Sequence, residues 1–167
     1  IGTGPDDDIT EGGNYVYIEA NGSQCAQGAE AYLQSSCIIL DKQGTDSCHL
    51  SFYYHMSGLN SGSLRVEASD DGGLSWTPQW QVNGRQGADW QNAYVSLADY
   101  TDGTALQLRL VANKGDGIFG DIAIDHIRLH GSQLLDFPTN LMYVDSDDDG
   151  FGAPGDFILT CLSVPPD

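Results

Sequence analysis

Apolar residues recur at alternate positions through most of this chain, and no segment shows a sustained helical period. In CHLSFYYHMSG (48–58), Leu50, Phe52, Tyr54 and Met56 share one face of an extended segment. NYVYIEA sets Val16 and Ile18 against Tyr15, Tyr17 and Glu19. AYLQSSCIIL predicts a short strand, a turn and another strand. SGSLRVEASDDGGLSW predicts a strand that enters a D-D-G-G turn, a hairpin signal. WQVNG, DWQNAYVSLADY and TALQLRLVANKG follow at regular spacing. In FGDIAIDHIRLHG the apolar parity switches between Ile124 and Ile127, which predicts a bulge.

Roughly eight short strands divided by Gly, Asn and Asp turns predict an all-β chain built as an antiparallel β-sandwich. The pattern lapses in GSQLLDFPTN (131–140), where Pro138 stops strand pairing. The expected organisation is a sandwich over 1–131, a linker over 132–142 and an Asp-rich segment over 143–167.

Charge narrows the function. The chain of 167 residues carries 24 acids and 6 bases, a formal net charge of -18. Nucleic acid is excluded as a partner, because binding it requires clustered Lys and Arg. An anionic membrane surface is disfavoured for the same reason, and no apolar run is long enough for direct membrane insertion. Two uses of the acidity stay open: solubility in salty water, and carboxylates gathered around cations. The density is greatest after residue 135, where Asp136, Asp145, Asp147, Asp148, Asp149, Asp156 and Asp167 meet no base.

The tail offers the most specific chemistry. Counting Asp145 as position 1, acids fall at positions 1, 3, 5 and 12 (Asp145, Asp147, Asp149, Asp156), with Gly150 at position 6. This is the spacing of an EF-hand calcium loop. Ca²⁺ takes six to eight hard oxygen ligands, and alternate side chains on a curling loop converge on one point. Gly allows the sharp turn, and the backbone carbonyl of Phe151 at position 7 fills a gap in the shell. Asp156 replaces the usual Glu, Pro154 lies inside the loop, and no amphipathic helices flank it. A helix-loop-helix switch is therefore excluded. The plain alternative is a solvated acidic linker.

Read in order, GPDDDIT, GGNYVYIEA, CHLSFYYHMSG, GSLRVEASDDGGLSW, WQNAYVSLADY and GDIAIDHIRL resemble the MAM domain across about residues 2–131. YVDSDDDGFG with the following Cys161 resembles Asp-rich repeats related to thrombospondin type 3, which link modules in large bacterial surface proteins. The resemblance implies a jelly-roll-like sandwich with a short C-terminal calcium-loop extension. It implies a non-catalytic adhesion or assembly module, secreted or at the cell surface. The partners would be an extracellular protein or polysaccharide ligand and neighbouring domains of the same polypeptide. MAM domains usually open with a strand and a Trp-containing segment before the GP-x-x-D-x-T element. The full-length protein is therefore expected to extend at both ends.

The same resemblance implies that Asp8 and an acid of the last strand share a structural cation. Asp121 and Asp125 are the candidates, with Asp125 preferred. The alternative is a carboxylate that caps backbone N–H groups. It also implies that Cys25 and Cys37 form a disulfide bond, worth about 3 kcal/mol in the chain-entropy model. Cys48 is either buried or paired with a cysteine in the expected N-terminal part, and Cys161 pairs within the tail or beyond it.

Trp76, Trp80 and Trp90, with Tyr94 and Tyr100, are candidate ligand-contact aromatics for carbohydrate binding. Core packing is the competing role for rings of this size. His55 reads as a packing histidine, and His49, His126 and His130 form no motif in the sequence. No nucleophile-elbow, zincin or Cys–His–Asn pattern is present.

Overall fold

The computed structural model describes residues 3–21, 26–42 and 48–134, together with two short strands, 142–143 and 157–158. Its elements are β1 (Val16–Ile18), β2 (Glu30–Gln34), β3 (Ile38–Leu40), β4 (His49–His55), β5 (Ser63–Ser69), β6 (Thr77–Asn83), β7 (Gln91–Ser96), β8 (Ala105–Asn113), β9 (Ile122–His130), β10 (Ser132–Leu134), β11 (Met142–Tyr143) and β12 (Phe157–Ile158). No helix occurs among the described residues, so none there is long and apolar enough to cross a membrane.

Every strand pair is antiparallel. One sheet runs β1-β9-β4-β7. The other runs β10-β3-β8-β5-β6, and β2 also pairs with β8. β8 is long enough to take β3 at Ala105–Leu106 and β2 at Arg109–Asn113. The alternation read from the sequence sets which side chains point inward. Leu50, Phe52, Tyr54, Ala93, Val95, Ile122 and Ile124 come from the four-stranded sheet. They meet Ile38, Leu40, Leu64, Val66, Ala68, Leu106, Leu108 and Leu110 from its partner. Phe52 and Met56 are fully buried. Burying a side chain of that size contributes about 1.5–3 kcal/mol.

The predicted bulge is present. Pairing of β4 with β9 shifts between Ser51 and Tyr53, so His126 and Ile127 together face the single position of Phe52. His126 absorbs the irregularity with a left-handed φ of 53°. Ser132–Leu134 adds a strand to β3, within the stretch that the sequence pattern assigns to a linker. Met142–Tyr143 pairs with Phe157–Ile158, which brackets the Asp-rich segment between them.

At one end of the sandwich two connections touch backbone to backbone. A Cβ on Gly58 would lie 2.1 Å from the Phe119 carbonyl oxygen, and one on Gly62 2.0 Å from that of Asn113. One on Gly115 or Gly120 would lie 2.0 or 2.4 Å from the Asn60 carbonyl oxygen. Only glycine allows that approach. Lys114, buried alongside, donates from Nζ to the Gly117 carbonyl at 3.0 Å.

Candidate functional site

The acidic N-terminal segment lies against the start of β9. Asp121 sits just before that strand and is buried. Its Oδ2 accepts the Thr3 N–H and hydroxyl, both at 2.9 Å, and its Oδ1 accepts the Ala20 N–H at 2.8 Å. Burial pushes this carboxyl up, but the Ala20 and Thr3 donors outweigh it and hold the pKa below the usual range.

Asp125 sits within β9. Its Oδ2 accepts the Ile9 N–H at 3.0 Å and its Oδ1 the N–H of His126 at 2.6 Å. Asp8, the residue before Ile9, is also buried. It accepts the Thr10 hydroxyl at 2.5 Å and the Gly13 N–H at 3.0 Å, and these two donors lower its pKa, the hydroxyl most. The segment carrying Asp8 is thus tied to β9 by the Ile9 N–H on Asp125. Each carboxylate already holds donors, as capping requires. Among the described residues no group of three or more His, Cys, Asp or Glu converges in a way that could hold a metal.

The three tryptophans have three separate settings. Trp80 packs on the core and meets Phe52 and Tyr54 edge to face, with centroids at 5.4 and 5.3 Å. Trp90 donates from Nε1 to the Asp7 carbonyl at 3.1 Å and contacts Tyr15 and His55, tying the N-terminal segment to the start of β7. Trp76 lies under the Arg109 guanidinium, 4.1 Å from the ring centroid, and Tyr32 meets the same guanidinium at 5.1 Å. His55 is buried, with Nε2 3.0 Å from the Ala88 carbonyl oxygen, as a packing histidine should be.

Charged residues that belong to no sequence motif gather on the outer face of β2, β8 and β5. Arg65 joins Glu30 at 2.8 Å and Glu67 at 2.7 Å, and Glu67 also takes Arg109 at 2.6 Å. The Arg65 hydrogen bond, aided by the Tyr32 hydroxyl, holds the Glu30 pKa at about 2. The alternation of Arg65 and Glu67 along one strand was the available signal, because i and i+2 share a face. A second surface feature is an apolar groove between the edge strands β1 and β2. Ile18, Leu33, Leu64, Leu110, Ile122 and Ile124 line it, and the exposed Tyr17 and Tyr32 stand beside it.

Asp145, Asp147, Asp149, Phe151 and Asp156 lie outside the described residues, as does Cys25. Cys37 is disulfide-bonded, and its partner is not among the described residues. Cys48 is free and buried, its Sγ–H donating to the Gly131 carbonyl.

The profile described as "MAM domain, meprin/A5/mu" matches residues 1–133. MAM domain-containing protein 2 of Mus musculus is 35% identical over 129 residues, covering 76% of this chain and 18% of that protein. Neuropilin-1 of Rattus norvegicus is 33% identical over 129 residues, covering 77% of this chain and 13% of its own length. The chain thus spans less than a fifth of each of these relatives. Among solved structures, the K2 cleaved adhesin domain of Lys-gingipain superposes with a TM-score of 0.51 at 19% identity, covering 72% of this chain and 75% of that one. At that identity the likeness concerns the fold.

Proposed function

Because this chain belongs to the MAM domain family, we propose that it works as a non-catalytic adhesion or assembly module of a larger secreted or cell-surface protein. The match over residues 1–133 carries this reading. The groove between β1 and β2 supports it, since both bordering strands leave one edge unpaired among the described residues and place apolar side chains at the surface. The test is self-association and surface binding of the chain coated on beads. Aggregation that a Tyr17→Glu, Leu33→Glu double variant abolishes supports the reading. Bead behaviour that this variant leaves unchanged overturns it.

Calcium forms the second half of the proposal. Asp145, Asp147, Asp149 and Asp156 would supply side-chain oxygens, and Phe151 its carbonyl. Their spacing and the pairing of β11 with β12 on either side support the assignment. A bound ion there would stiffen the joint to the next module. Calorimetric titration of the chain with calcium should yield a site that Asp147→Asn together with Asp149→Asn removes; no site at millimolar calcium sinks the assignment. On the same terms, an ion shared by Asp8 and Asp125 would register as a second site, lost in Asp8→Asn alone.

One observation favours carbohydrate binding as a second reading, that of an accessory module for a secreted polysaccharide-degrading enzyme or peptidase. Trp76 and Tyr32 converge on Arg109 at the surface of a sheet, beside charged hydrogen-bonding groups. A glycan array separates the readings. Retention on a polysaccharide that falls at least tenfold in Trp76→Ala would favour the second.

A further inference from the structure

Three rings stack across three adjacent strands on the outer face of the four-stranded sheet. His49 of β4 and His130 of β9 are direct register partners, with ring centroids 4.3 Å apart and planes inclined by 14°. On its other side His49 stacks on Tyr94 of β7, at 4.2 Å and 26°. The face is set by the core: Leu50 and Phe52 point inward, so His49 and Ser51 point out. Ser51 adds a polar atom, with Oγ 3.3 Å from His130 Nε2. Tyr94 is 58% exposed, and His130 is also exposed.

We propose that His49 and His130 form a two-imidazole binding site for a borderline divalent transition ion of the zinc, nickel and copper group. Neutral imidazole is the form that coordinates a metal. Side chains of directly opposed residues in an antiparallel pair sit about 4.5–5.5 Å apart at Cβ, and the two rings would turn about χ2 out of the stack to bring one nitrogen each onto a common ion. The ladder partners of β4 on both sides hold the two backbones in place, so little ordering is left to binding. Nitrogen donors select this group of ions over calcium, which takes oxygen. Arg128, two residues before His130 on the same face, works against a cation held by charge alone. The coordinate bonds must therefore supply the attraction. Solvent, with the Ser51 hydroxyl close by, would complete the shell.

The site is separate from the Asp-rich segment, and its test keeps them apart. The full chain, saturated with calcium, is titrated with zinc chloride and followed by calorimetry. One zinc site is expected, weakened by about tenfold or more in either His49→Gln or His130→Gln, because each variant removes the chelate. His126→Gln should leave it unchanged. Zinc binding that both single variants leave intact would overturn the proposal, as would the absence of binding. Folding of each variant is checked by thermal denaturation. A second readout uses the unaltered protein: substoichiometric copper(II) should broaden the imidazole signals of His49 and His130 before those of His55 and His126. Broadening that starts elsewhere rejects the site.

Discussion

The Ala20 N–H donates to Asp121 Oδ1 at 2.8 Å across 101 residues of chain, and Thr3 occupies the other carboxylate oxygen. One side chain thereby fixes the segment entering β1 and the one leaving it against the start of β9. Asp121→Asn should lower stability by about 1–3 kcal/mol, because an amide cannot accept from all three donors and stays buried. The folded pKa lies below the ordinary value, so this contribution is complete above the unfolded pKa, near 3.9. It is lost as the pH falls through the lower folded value. Urea unfolding of both proteins from pH 7 down to 3 checks the claim, and their midpoints should converge towards the acid end.

Glu67 stands between Arg65 and Arg109 with its own side chain 8% exposed. Burial pushes its pKa up, but the two guanidinium groups outweigh burial and bring the net value down. Glu67→Ala should cost about 3 kcal/mol, because two partly buried cations lose their shared partner. Glu30→Ala should cost less, about 1 kcal/mol or below, since that end of the ladder is wetter. A double-mutant cycle over Glu67 and Arg109 should return a coupling larger than the one over Glu30 and Arg65.

Asp71 shapes the turn after β5. It accepts the Ser69 hydroxyl at 2.7 Å and the Ser75 N–H and hydroxyl at 2.9 and 2.5 Å, and these bonds, the Ser75 hydroxyl foremost, hold its pKa at about 2. Glu30 titrates in the same range. The sandwich should therefore lose stability from about pH 4 downwards, where both groups begin to protonate in the unfolded chain. The loss should continue to about pH 2. Thermal midpoints across that window should fall less steeply in Asp71→Asn than in the unaltered chain.

Cys48 is buried against Gly131, and burial pushes its thiol pKa up. Iodoacetamide at pH 8 should leave it unmodified in the folded protein and label it after denaturation, as mass spectrometry would read. Gly131 has φ of 71°, and a Cβ there would lie 2.8 Å from the Cys48 Sγ. Gly131→Ala should therefore destabilise the sandwich and expose the thiol to the reagent.

The central strands of the sandwich were legible because β3, β4, β5, β7, β8 and β9 each bury apolar side chains on one face, which favours a period of two. The bulge at His126 was legible too, as a change of parity that only an inserted residue explains. β10 was hidden, since Ser132–Leu134 is short and followed by a Pro-containing stretch. The pairing of His49 with His130 was out of reach for another reason. Two residues 81 positions apart become neighbours through the register of β4 on β9, and local pattern does not encode register between distant strands. The preference for Asp125 over Asp121 concerned a contact of the same long-range kind. Both approach the N-terminal segment, Asp121 through Thr3 and Asp125 through Ile9. Among the tryptophans, composition named the rings, but only packing separates Trp80 at the core from Trp76 under Arg109.

The glycine-to-carbonyl contacts joining residues 58–62 to 113–120 also say where this scaffold can be rebuilt. Side chains cannot be added at those crossings without forcing the two loops apart, so that end is closed to grafted recognition sequence. The register of β5 on β8 puts the β7–β8 connection, 97–104, at the other end, where Ala98, Asp99, Thr101, Asp102 and Gly103 are exposed. A library intended to give the sandwich a new target belongs in that connection, with the stitched end left as its foundation.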